Sequence, residues 1–187
     1  MIEAYCLMTN HIHLVAVPLR DDSLAKGLGR THNDFSRYVN IRRGESGHLW
    51  QNRFFSCPID SYHLWQVMRY IELNPVRAGL AKSAEDWRWS TARFHLDEVA
   101  DDPLVDSGRW RASWDATSWR NALDAGIQEE ALLERIRDAT RNGRPLGGEH
   151  FAAEIENLLR RPVRPQKRGP SAAKAGTDET ARNFEVA

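Results

Sequence analysis

The chain has 187 residues, of which 41% are hydrophobic and seven are Trp, so it is about one domain and a remainder with enough apolar mass for a sizeable core. Wholesale disorder is excluded on that ground, and the balance of 26 Lys+Arg against 26 Asp+Glu excludes a histone-like or polybasic chain. The zero hides a pattern, because residues 1–96 carry a net of +3, residues 97–138 a net of −6 and residues 139–187 a net of +3, an asymmetry that permits a polyanionic partner.

In chain order, the first 20 residues read as a hairpin. Two β-prone runs, Glu3 to Met8 and His11 to Val17, flank Thr9-Asn10. A helix is predicted from Ser23 to Arg42, capped by Asp22 or Ser23, with Leu24, Leu28, Phe35 and Val39 as an imperfect apolar stripe. Gly44-Glu-Ser-Gly47 is a turn, and Trp50 to Cys57 is a strand candidate. The clearest helix runs from Asp60, its cap, to Asn74. Leu64, Trp65, Val67, Met68 and Ile71 fall on one face of it, and Pro75 ends it. Residues 74–79 then form a loop, and Trp87 to Phe94 is aromatic and basic. The Asp-rich residues 97–116 read as a connection, followed by short helices at Gln128–Thr140 and Glu149–Arg160. From Arg160 to Lys174 there are six basic residues, no acidic ones and three prolines, a tail expected to be disordered when unbound.

Cys6 and Cys57 lie 51 residues apart with no CxxC, which gives neither a zinc knuckle nor a disulfide framework; both read as buried thiols. The uncharged stretch Ala4 to Leu19 is 16 residues long and is interrupted by Asn10, His11 and His13. It is shorter than the roughly 20 apolar residues a membrane span needs, and no basic segment precedes it. A reduced, cytoplasmic protein is expected.

Two groups of residues can do chemistry. On a strand, His11 and His13 point to the same face, which makes them a natural ligand pair for a divalent metal, or else two surface histidines. Tyr70 and Asn74 stack one helical turn apart at the edge of the apolar face, with His63 pointing the same way. By themselves they are a rim tyrosine and a helix-ending amide. Together with the histidines, they make a three-ligand site with a phenol one turn from the amide. A hard cation there could polarise a phosphodiester oxygen while tyrosinate attacks phosphorus.

Three blocks then resemble a known family. They are Tyr5-Cys-Leu-Met-Thr-Asn-His-Ile-His-Leu-Val15, Gly47-His-Leu-Trp-Gln-Asn-Arg-Phe54 and Tyr70-Ile-Glu-Leu-Asn-Pro-Val-Arg-Ala-Gly-Leu80. In this order and at these distances they resemble the REP-associated tyrosine transposases, a branch of the single-tyrosine HUH transposases, and the likeness spans about residues 1–96. Residues 139–147 look like the C-terminal region of many such proteins.

The resemblance implies an α+β, ferredoxin-like HUH catalytic domain at residues 1–96, an antiparallel sheet with helices on one side. It is followed by an acidic connecting segment at 97–127, a small helical extension at 128–160 and a basic tail at 161–187. By the same resemblance, Tyr70 is the nucleophile, His11, His13 and Asn74 hold Mg²⁺ or Mn²⁺, and the substrate is single-stranded DNA bearing a hairpin. The product would be a 5′-phosphotyrosine with a free 3′-hydroxyl, formed without a nucleotide cofactor, in a cytoplasmic, nucleoid-associated and membrane-free setting. Relatives carry a strand and helix ahead of the strand that begins here at Ile2. The chain therefore reads as lacking its first strand, an edge that a homodimer would cover.

Candidate DNA contacts are Arg42, Arg43, Gln51, Arg53, Arg69 and Arg77, with Trp50 or Trp65 as stacking platforms, and Arg160, Arg161, Arg164, Lys167 and Arg168 of the tail. Two other readings remain open: an inert relative that binds hairpin DNA without cutting it, and a metal hydrolase that uses the His pair with water.

Overall fold

A computed structural model describes residues 1–126 and 130–164; the calls on Lys167, Arg168 and most of the basic tail lie outside them. The chain folds as α+β. Strands β1 (Ile2–Leu7) and β2 (Ile12–Ala16) pair antiparallel, with Tyr5 opposite Leu14, Cys6 opposite His13 and Leu7 opposite Ile12. Alternation puts Ala4, Cys6 and Val15 into the core, and burial pushes the Cys6 thiol up to about 12. These two strands are the whole sheet among the described residues, so the wider ferredoxin-like sheet is not visible in them.

The two edges of the hairpin differ. β1 is covered on its outer side, where Leu7 N–H donates to the Trp89 carbonyl at 2.8 Å, Thr91 N–H to Tyr5 at 3.1 Å and Asp106 N–H to Ile2 at 2.7 Å. The Tyr5 hydroxyl adds a 2.7 Å bond to Asp102. Residues 97–116, expected to be a bare connection, therefore latch onto the sheet. On the outer side of β2 no strand pairs among the described residues.

Helix α1 (Ser23–Arg43) ends at Gly44, whose φ of 65° releases the chain in the left-handed region that glycine tolerates. It buries no residue, and Phe35, Tyr38 and Ile41 are exposed. Trp50 packs on it, stacking on His32 with ring centroids 4.1 Å apart and donating its indole N–H to the His32 carbonyl at 3.0 Å, and the Asn40 amide donates to the Gly47 carbonyl at 3.0 Å. The strand expected at residues 50–57 is irregular chain: Trp50 packs on α1, Cys57 lies beside Thr140 of the C-terminal helices, and no strand pairs with the stretch among the described residues.

Helix α2 (Leu64–Glu72) is shorter than predicted. Residues 61–63 are a turn in which Asp60 accepts from His63 N–H at 2.9 Å and from His63 Nδ1 at 2.7 Å. Pro75 does not stop the chain from turning again. A second helical turn, α3 (Asn74–Arg77), begins after Leu73 with proline in its first turn, where no N–H is needed. The face Leu64, Val67, Met68 and Ile71 of α2 lies across both strands.

Four short or medium helices follow: α4 (Ala92–His95), α5 (Gly108–Arg111), α6 (Ala116–Asp124) and α7 (Glu130–Asn142); α8 (Glu149–Leu159) closes the described chain. The helices predicted at Gln128–Thr140 and Glu149–Arg160 match α7 and α8 within two residues. The sequence reading did not anticipate α4 to α6. One apolar cluster runs through residues 4–146, with Trp110, Trp119, Leu123, Leu132 and Ile136 packed among the residues of β1 and α2. Trp65, Trp110, Trp114 and Trp119 meet edge to face at centroid distances of 5.0 to 6.4 Å, so Trp65 is a packing residue and not a free platform.

Helix α8 is seated where Gly147 passes the Phe151 ring and the Asp60 carboxylate. A β-carbon at Gly147 would lie 2.3 Å from Phe151 Cδ1 and 2.8 Å from Asp60 Oδ2. Gly147→Ala is expected to cost about 1–3 kcal/mol, read as a lower urea midpoint with an unchanged slope.

Candidate active site

The site is assembled from the hairpin and from the α2–α3 pair. Cross-strand register sets His13 opposite Cys6. Cys6 faces the core, so His13 faces the same way and is partly covered, while His11 at the hairpin tip is exposed. Their Nε2 atoms are 3.1 Å apart. Two imidazole nitrogens each about 2.1 Å from one metal ion would stand roughly 3.0–3.4 Å apart, so the pair is already at ligand spacing. His11 Nδ1 sits 2.7 Å from Asn10 Oδ1, which assigns the N–H to Nδ1 and leaves the Nε2 lone pair facing His13. Burial, then the neighbouring His11, then the Arg77 cation bring the His13 pKa down from 6.5 to about 4, so His13 presents a neutral nitrogen near pH 7.

A stability consequence follows for the metal-free protein. Above pH 6.5 the His13 imidazole is neutral whether folded or unfolded. As pH falls, the unfolded chain takes up its proton first. Folding stability should therefore decline between about pH 6.5 and about 4, and His13→Asn should flatten that part of a Tm-against-pH curve.

Tyr70 lies beside the pair, its ring edge-on to His13 with centroids 6.0 Å apart and planes at 88°. Asn74 is buried one turn on. Arg77 links the two: its guanidinium carbon is 4.3 Å from the Tyr70 ring centre, and it donates to Asn74 Oδ1 at 2.5 Å and to the Tyr70 backbone carbonyl. The Asn74 amide nitrogen is buried with no hydrogen-bond partner among the described residues. His11, His13, Tyr70, Asn74 and Arg77 thus form one continuous cluster. No group of three His, Cys, Asp or Glu residues able to hold a metal occurs among the described residues. An amide such as Asn74 is the available third donor, and its oxygen would have to exchange Arg77 for the ion.

Between Tyr70 and Asn74 sits a residue the sequence reading passed over. Glu72 is fully buried, and its carboxylate accepts from the Thr91 hydroxyl at 2.6 Å, from His95 Nδ1 at 2.6 Å and from the Trp119 indole N–H at 2.8 Å. His95 is itself stacked on Trp110 at 4.6 Å. The helix that carries the phenol is thereby anchored to α4 and α6. A charged residue on the inner face of an otherwise apolar helix was the signal in the sequence, because burial requires partners.

Of the other DNA-contact candidates, Arg77 alone joins the cluster. Arg69 donates to the Gly126 carbonyl at 2.9 Å. Arg42 donates to the Tyr38 hydroxyl at 3.0 Å, while Arg43, Gln51 and Arg53 are exposed on α1 and the chain after it. Arg160 and Arg161 are exposed beyond α8. Arg164 is engaged by Glu149 at 3.2 Å and Glu156 at 3.5 Å, so acid pairs satisfy it.

With this geometry in view, comparison with known proteins is informative. Residues 1–74 match the family described as IS200-like transposases. Over that segment, the chain resembles the IS200-like transposases. It is 30% identical over 109 residues to a candidate REP-associated tyrosine transposase of Haemophilus influenzae, covering 52% of this chain and 61% of that protein. It is 28% identical over 98 residues to a REP-associated tyrosine transposase of Escherichia coli strain K12, covering 51% of this chain and 55% of that protein. The chain thus spans somewhat more than half the length of these relatives. No solved structure matches it at a significant level. No helix among the described residues is long and apolar enough to cross a membrane. The family match ends at Asn74, so it includes both histidines, Tyr70 and the buried amide, while Arg77 and Glu72's partners on α4 and α6 lie beyond it.

Proposed function

We propose that this chain is a transposase-type DNA transesterase that cuts hairpin-bearing single-stranded DNA and holds one end as a 5′-phosphotyrosine on Tyr70. The observation that carries the reading is the contact of a single phenol with a His pair at ligand spacing. A hydrolase using water would give no role to Tyr70, and an inert DNA binder would have no use for two imidazole nitrogens held 3.1 Å apart. The same reading assigns the β1–β2 hairpin to a ferredoxin-like catalytic sheet.

His11 and His13, with Asn74 once Arg77 yields its oxygen, are the residues that would hold Mg²⁺ or Mn²⁺. Such an ion supplies Lewis-acid polarisation of a phosphodiester oxygen. Tyr70 supplies the nucleophilic oxygen. The bond from that oxygen to phosphorus forms as the bond from phosphorus to the 3′ oxygen breaks, so no nucleotide energy source is needed. Glu72, held from three sides, fixes the helix and so the direction of the phenol.

The test is to incubate the chain with hairpin-bearing single-stranded DNA and Mn²⁺ or Mg²⁺, denature it, and look for a protein–DNA adduct. An adduct that forms on the wild type supports the reading. DNA bound or hydrolysed with no adduct on the folded protein would move the assignment to one of the two alternatives.

A further inference from the structure

The Asn74 amide oxygen already holds a cation that belongs to the protein. Asn74 and Arg77 are three positions apart on α3, so both side chains lie on one side of it. From there the Arg77 guanidinium donates to Asn74 Oδ1 at 2.5 Å and to the Tyr70 carbonyl, and its central carbon lies 4.3 Å from the Tyr70 ring centre. The Asn74 amide nitrogen is buried with no hydrogen-bond partner among the described residues, so the bond from Arg77 is what fixes the direction of the amide oxygen. A metal ion and a guanidinium would seek the same oxygen, and two positive charges at such range repel. Arginine does not shed its proton, so Arg77 can give up Asn74 only by swinging away from it.

We propose that Arg77 is a stand-in cation, which occupies Asn74 Oδ1 while no metal is bound and turns to a phosphodiester oxygen at Tyr70 when it yields the amide to Mg²⁺ or Mn²⁺. Guanidinium forks match phosphate oxygens in geometry and charge, so the DNA backbone offers Arg77 an acceptor in exchange for the one it loses. Arg77 thereby holds metal affinity down in the free protein. It also makes metal and DNA raise each other's affinity, because coupling between two ligands is reciprocal. The inference rests on the proposed function for the role of Asn74 as a ligand, but it does not require turnover. An Arg77 that only braces the Tyr70 ring and the Asn74 amide would act in the opposite direction: its loss would loosen Asn74 and weaken metal binding.

Mn²⁺ binding to the full chain, followed by electron paramagnetic resonance, decides it. Arg77→Met keeps the aliphatic stem and should tighten Mn²⁺ binding about tenfold in the absence of DNA, the worth of one charge-assisted hydrogen bond no longer broken. Adding His13→Ala should erase that gain. Equal or weaker binding by a folded Arg77→Met protein overturns the proposal, and so does a gain that survives His13→Ala. In the Tyr70→Phe background, which forms no adduct, saturating Mn²⁺ should lower the Kd for labelled hairpin DNA, and Arg77→Met should shrink that improvement about tenfold. An improvement of the same size in both overturns the coupling. If Arg77→Met does not fold, the wild type still answers: Mg²⁺ should shift the Arg77 Nε–H and Asn74 side-chain amide resonances with one midpoint, and a silent Arg77 overturns the stand-in. Tighter Mn²⁺ binding by Arg77→Met, in a chain whose wild type forms no adduct, keeps the stand-in and removes the transesterase. An adduct formed by a chain whose Mn²⁺ affinity ignores Arg77 does the reverse.

Discussion

Tyr70→Phe is expected to abolish the covalent protein–DNA adduct while the protein remains folded and still binds hairpin DNA. The substitution removes one hydroxyl from a half-buried ring whose packing against His13 and under Arg77 uses the ring and not the oxygen. The change in stability should be about 1 kcal/mol or less, the usual net worth of one hydrogen bond. The chemistry has no substitute, because the phenol oxygen is the atom that would bond to phosphorus. Denaturing gels read the adduct, and a urea melt confirms the fold. If strand cleavage persisted without an adduct, water would be the nucleophile and the His pair would belong to a hydrolase. An adduct that survived Tyr70→Phe would place the nucleophile elsewhere on the chain.

The second large effect lies one position past the neighbour of that tyrosine. Glu72→Ala should cost about 3–5 kcal/mol, because it leaves the donors of Thr91, His95 and Trp119 facing a dry space with no acceptor. Glu72→Gln keeps one carbonyl acceptor and should cost less. The measurement is the urea midpoint, with the expectation that both variants retain the wild-type slope if unfolding stays two-state. Equal stability of wild type and Glu72→Ala would mean that the network is incidental. Tyr70 and Asn74 bracket Glu72 on the same helical stretch, so the Glu72→Gln variant should also show slower capture at saturating DNA.

How far the sequence led depended on whether a feature was local. The hairpin, α2, α7 and α8 were legible because their apolar spacing is complete within each segment. His11, His13, Tyr70 and Asn74 were legible as a set only through the three family-like blocks, since nothing local says that a strand and a helix 57 residues later will meet. Pro75 misled because a proline that terminates one helix is equally at home in the first turn of the next. The Asp-rich stretch after Leu96 concealed Trp110 and Trp119, whose burial depends on docking against β1 and α2 and not on their own neighbours.

The latch of residues 89–106 onto the outer side of β1 also bears on how the chain is made. The hairpin closes over a few residues, whereas the Tyr5–Asp102 bond spans 97 positions and the Glu72–Trp119 bond spans 47. During synthesis from the N-terminus, the two histidines can therefore be set on their strand well before the polymer that braces them has left the ribosome. A nascent chain that has emerged only to Asn74 holds every residue proposed for catalysis. It lacks the outer cover of β1, every donor to Glu72, and Arg77. Elongation through α6 thus delays bracing of the proposed site until Trp119 has emerged, so partly made chains carry its residues without the scaffold that aims them.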